Sequence, residues 1–143
     1  MSAAEQIRDD AREAMKAGDR KRSSALRMIQ DVLQQDAKMG KGDEVAVLQR
    51  ERKKRLEAAE AYTGAGRTEQ AEAETFEAEL IAGYLPAQLS DEELNSMVAE
   101  AIQATGAEGP KAMGQVMGAL KDKVAGRADG KRVSTAVREQ LGS

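Results

Sequence analysis

The chain has 143 residues, with 22 basic and 25 acidic side chains for a formal charge of −3 and only three aromatics, Tyr62, Phe76 and Tyr84. There is no His and no Cys, which removes imidazole bases, thiolate nucleophiles, disulfides, zinc–thiolate sites and iron–sulfur sites from consideration. No apolar run reaches the roughly 18 residues that span a bilayer, and Met1 to Met15 contain no apolar stretch of a secretory leader, so a cytoplasmic protein without membrane contact is expected.

Hydrophobic residues make up 41% of the chain and are mostly Ala, Leu, Val, Ile and Met, a set suited to close-packed helices. In chain order, Ser2 and Glu5 match a capping box, and Ile7, Ala11, Ala14 and Met15 recur on one face. Gly18 fits a left-handed helix stop and Asp19 the next N-cap, ahead of a stripe of Leu26, Ile29, Val32 and Leu33. A loop is expected at 39–42, then an Asp43 cap and a stripe of Val45, Leu48, Leu56 and Ala59. Thr63-Gly64-Ala65-Gly66 breaks that helix. Thr68 is placed to cap a fourth, with Ala73, Phe76, Leu80, Ile81 and Tyr84 as its apolar residues.

Pro86 restricts Leu85 and marks a boundary. Ser90 and Glu93 form a second capping box, followed by Leu94, Met97, Val98, Ala101 and Ile102. Gly106 ends that helix. Pro110 suits a first helical turn. Met113, Val116, Met117, Leu120 and Val124 follow, and Gly126 stops the run. Asp129 can cap a last helix carrying Val133, Ala136, Val137 and Leu141. The expectation is an all-α protein: a four-helix N-terminal bundle over 1–85 and three short helices over 86–143.

Charge is unevenly placed. Residues 50–55 carry Arg50, Arg52, Lys53, Lys54 and Arg55 with one acid, Glu51. Residues 69–79 carry five Glu and no base. Two readings of the basic run stand: an exposed face paired with the glutamates, or a nucleic-acid footprint. The glutamates scatter around a helix surface, so no metal site is expected from them. Residues 109–138 carry seven basic side chains against Asp122 and Asp129. Near Gly126-Arg127-Ala128-Asp129-Gly130-Lys131 the P-loop pattern fails, because position 125 is Ala, position 132 is Arg and no strand precedes. Free N–H groups at a helix start beside Lys131 and Arg132 could still hold a phosphate. Ser23 and Ser24 lie beside Lys21 and Arg22, but without a glycine-rich turn for an oxyanion hole they read as surface helix residues.

Several segments in order resemble the YqeY-like family, related to the helical and tail domains of the GatB subunit of the tRNA-dependent amidotransferase. They are Ala14-Met15-Lys16-Ala17-Gly18-Asp19, Leu26-Arg27-Met28, Gly83-Tyr84-Leu85-Pro86 with Gln88-Leu89-Ser90, Met113-Gly114-Gln115-Val116-Met117-Gly118, and the run from Gly126 to Ser134. The resemblance implies a four-helix part and a three-helix tail of the kind that helps hold tRNA. The domain in which that subunit performs amidation is missing, as is the amidase site of its glutaminase partner. A carbon–nitrogen ligase activity is therefore expected only of other chains. The implied roles are a non-catalytic tRNA-binding or adaptor module or, alternatively, an accessory subunit of a glutamine-dependent amidotransferase. The implied partners are tRNA and amidotransferase subunits. The candidate RNA-binding residues are Lys111, Lys121, Lys123, Arg127, Lys131 and Arg132. No catalytic residue, cofactor or metal ligand is expected.

Overall fold

The computed structural model describes residues 1–40, 43–106 and 108–142, and all regular structure among them is helical. The helices are α1 (Ala3–Lys16), α2 (Arg20–Lys38), α3 (Glu44–Gly64), α4 (Thr68–Ala82), α5 (Asp91–Thr105), α6 (Met113–Val124) and α7 (Gly130–Leu141), with a 3₁₀ turn at Pro110–Ala112. Two compact units divide the chain, Met1–Leu85 and Pro86–Ser143. Of the loop expected at 39–42, Lys41 and Gly42 lie outside the described residues. Among the described residues, no helix is long and apolar enough to cross a membrane.

The helix ends follow from local chemistry. The Ser2 hydroxyl accepts from Glu5 N–H, Asp19 from Arg22 N–H and Asp43 from Ala46 N–H, each at 3.1–3.2 Å. Ser90 and Glu93 close a full capping box, since each side chain accepts from the other's backbone N–H. The α3–α4 turn departs from expectation. Thr63 and Gly64 still belong to α3, Thr68 is the first residue of α4, and its N-cap is Arg67, which makes no side-chain capping bond. The chain reverses instead through Gly66, at φ +75°, and Arg67 N–H donates to Tyr62 O at 2.8 Å.

In the first unit, α1 packs along α2 and α3 along α4, and α2 joins the two hairpins. Their shared core is Ile7, Ala11, Leu26, Ile29, Leu33, Val47, Leu48, Ile81 and Leu85. Four expected core residues are exposed: Met15, Val45, Leu56 and Ala73. The stripe on α3 is rotated from the one its apolar residues suggest. Its buried positions are 47, 48, 51, 55 and 59, and two of these are charged, Glu51 and Arg55. Beyond the core, α3 and α4 touch through small side chains at Ala59, Ala71 and Ala78.

In the second unit, α5, α6 and α7 each contact the other two. Their core holds Leu89, Leu94, Val98, Val116, Leu120, Val124, Val133 and Val137, with Met97, Ile102, Met113, Met117 and Leu141 at its edge. It contains no aromatic ring. The methionines complete the packing, where their unbranched thioethers fill irregular gaps.

Candidate nucleic-acid interface

The six basic candidates of the second unit separate into two sets. Arg127 and Arg132 are partly buried and bind the protein itself. Arg127 Nε donates to Ala87 O at 3.0 Å. Arg132 Nη2 donates to Leu89 O at 3.1 Å and pairs with Asp91 at 2.8 Å. Leu89 N–H donates to Arg127 O, and Gln88 Nε2 donates to both Pro86 O and Gly126 O at 2.8 Å. The segment 86–91 is thereby strapped across the turn between α6 and α7, and buried Leu89 is its apolar anchor. Lys111, Lys121, Lys123 and Lys131 are exposed and make no ion pair among the described residues.

The expectation of free N–H groups at the α7 start is corrected. The Asp129 carboxylate accepts from Lys131 N–H at 2.8 Å and Arg132 N–H at 3.1 Å, so the protein's own anion occupies that position. At the 3₁₀ turn, Pro110 has no N–H and Ala112 N–H donates to Gly109 O. Lys131 and Arg132 also line a cleft of about 400 Å³ between α5 and α7. Asp91, Asp129 and Glu139 share that lining, so the cleft is not an anion pocket. Lys111, Lys121 and Lys123 lie outside it.

In the first unit the basic run is partly neutralised. Arg55 is buried; it pairs with Glu51 at 2.9 Å and Glu77 at 3.1 Å and also donates to Glu51 O. The pairing with the acidic helix is therefore internal, not on an exposed face. Burial pushes the Glu51 carboxyl up, but the hydrogen bond and charge of Arg55, helped by Lys54, overcome this and hold it below its ordinary value. Arg50 lies 3.9 Å from Asp36 and Lys54 3.5 Å from Glu51. Ser23, expected on the surface, is buried, whereas Ser24 is exposed. Among the described residues, no group of three carboxylates is placed to hold a metal ion.

Two features escaped sequence reasoning. The Tyr84 hydroxyl donates to Asp10, whose other oxygen accepts from Gln6 Nε2 at 3.1 Å. Burial, followed by the bond to Asp10 and its charge, raises the Tyr84 phenol pKa far above its ordinary range. The strap is the second, and its only sequence signal was the pair of segments Gly83–Ser90 and Gly126–Ser134 that carry the family resemblance.

No curated protein matches the chain. The family model described as Yqey-like protein matches residues 4–141, the same span that holds both cores and the strap between Pro86 and Asp91. The chain thus belongs to the YqeY-like family.

Proposed function

We propose that the chain is a non-catalytic, cytoplasmic module that binds tRNA, with the contacts supplied by the 86–143 unit in the manner of a three-helix amidotransferase tail. The observation that carries this reading is the set of four exposed lysines, 111, 121, 123 and 131, without ion pairs among the described residues. Arg55 and Arg132, by contrast, are engaged within the fold. Arg127 and Arg132 position the strap and are not counted among the contacts. With no aromatic ring in this unit, base stacking is absent, so recognition is of phosphates and of folded shape.

The test is a titration of folded tRNA at two salt concentrations. Binding that neutralises three or four phosphates gives a log–log salt slope of about −2 to −4. Reversal of Lys121, Lys123 and Lys131 to Glu removes most of the affinity and flattens the slope. Absence of binding at low salt, or equal binding by the triple variant, overturns the reading. Ammonia release from glutamine by the isolated chain would overturn its non-catalytic part.

A further inference from the structure

We propose that Met28 is an oxidation site coupled to Arg55: hydrogen peroxide converts its thioether to a sulfoxide, and the new oxygen takes the arm of the buried guanidinium that lacks a strong acceptor.

That arm is identified by the bonds the others make. Arg55 lies in α3 with its side chain 9% exposed. Its Nε donates to Glu77 Oε2 at 3.1 Å. Nη1 donates to Glu51 Oε1 at 2.9 Å and to Glu51 O at 3.1 Å. Among the described residues, Nη2 meets only the Met28 sulfur of α2, at 3.5 Å. A thioether is a weak acceptor. A donor on a charged group shut off from water gains most from a stronger partner, because the interior screens the bond little.

Met28 is nevertheless 45% exposed, so peroxide can reach it. In a chain without Cys, the seven methionines are the sulfurs open to an oxidant. Met97, Met113 and Met117 are packed against the second core, whereas Met1, Met15, Met28 and Met39 are exposed. Of these four, Met28 joins exposure to a buried charge. Met15 supplies the contrast. Its sulfur accepts from Arg27 Nη2 at 3.4 Å, but Arg27 is exposed, and a hydrated guanidinium gains little from one more acceptor.

The reaction is a two-electron oxygen transfer. A sulfur lone pair attacks one peroxide oxygen, the O–O bond breaks and an S–O bond forms. The transferred oxygen gives its proton to the departing hydroxide, which leaves as water. Sulfur is oxidised and the peroxide is reduced. The lone pair turned to solvent reacts, since the other faces Nη2. Rotation about the flexible Cγ–Sδ bond then swings the new oxygen to Nη2. The sulfoxide is neutral, so it adds an acceptor without altering the charge balance of Arg55 with Glu51 and Glu77. Oxidation of a methionine ordinarily disrupts the contacts around it by making an apolar side chain polar. At Met28 it tightens the first unit instead.

The test treats the full chain with limiting hydrogen peroxide, maps sulfoxides by peptide mass spectrometry and follows melting of the first unit by tyrosine fluorescence. Met28 is expected among the oxidised residues. Treatment raises the wild-type midpoint by about 2–6 °C relative to its effect on Met28→Leu. Without peroxide, Met28→Gln, whose amide oxygen stands in for that of the sulfoxide, melts above Met28→Leu by a similar margin. Met15→Gln and Met15→Leu differ by less than about 1 °C. Failure of Met28 to oxidise while Met15 and Met39 do so overturns the proposal. So does a treatment effect on wild type no more favourable than that on Met28→Leu, or a Met28→Gln variant no more stable than Met28→Leu. A gain from Met15→Gln equal to that from Met28→Gln removes the buried arginine from the account and equally overturns it.

Discussion

Arg55→Ala is the sharpest test of the first unit. The Arg55 side chain is 9% exposed, Glu51 9% and Glu77 21%, so its removal leaves two carboxylates largely shut off from water. Breaking a buried pair by removing one partner costs about 3–5 kcal/mol, against at most about 1 kcal/mol for an exposed pair. Lys54 remains 3.5 Å from Glu51, which places the expectation near the lower end, about 3 kcal/mol. For a unit of this size that lowers the melting midpoint by about 12–24 °C. Tyr62 and Tyr84 are the only tyrosines and both lie in the first unit, so tyrosine fluorescence reports its melting alone. The pH dependence is diagnostic. In wild type the Glu51 carboxyl is held below its ordinary value, so its contribution is complete above that value and is lost only in stronger acid. Without Arg55, burial dominates and the carboxyl titrates above its ordinary value. The variant then recovers part of its deficit as the pH falls from 7 toward 4.5. A deficit below about 1 kcal/mol, or one identical at both pH values, refutes the buried-pair account. Arg55→Met combined with Glu51→Gln and Glu77→Gln should regain most of the loss, because no uncompensated charge remains.

Two further outcomes are expected. Leu94 is 2% exposed in the second core, so Leu94→Ala should cost about 2–5 kcal/mol; a far-ultraviolet melt must read it, because that unit has no aromatic reporter. Tyr84→Phe removes a hydrogen bond to a carboxylate and should cost about 1.5–3 kcal/mol at neutral pH. Because the folded phenol resists ionisation, the wild-type advantage is complete below pH 10 and declines above it, so the two melting curves should converge in alkali; parallel curves would contradict this.

The all-helical class was legible because caps, glycine stops and 3.6-residue periodicity agreed at most helices. Ser90 with Glu93 and the stripe at Leu94, Val98 and Ala101 show that agreement best. It failed on α3, where the buried face carries Glu51 and Arg55. A periodicity search assigns charge to solvent, so it selected Val45 and Leu56 instead. Burial of that face is tolerable because Arg55 meets both Glu51 one turn away and Glu77 from α4. The candidate interface was legible as an excess of charge and not as a division of labour. Arg127, Arg132 and the lysines are alike in sequence, yet the arginines reach backbone oxygens some 40 positions away. The α7 start misled for a related reason. Asp129 was read correctly as a cap, but a cap that is itself a carboxylate fills the place a phosphate would take.

The strap over residues 86–91 has a consequence for how this region can drift in sequence. Most of what it presents for recognition is main chain, the oxygens of Pro86, Ala87 and Leu89, and the turn it crosses answers with Gly126 O. Any residue supplies a carbonyl, so the exposed Ala87 can be replaced without losing an acceptor. The demand falls on the donors, Gln88, Arg127 and Arg132. A lysine at 127 or 132 keeps the charge but not the planar fork that aims each N–H. Divergence across the strap should therefore be lopsided, free at position 87 and narrow at 88, 127 and 132, with shape rather than charge setting the limit.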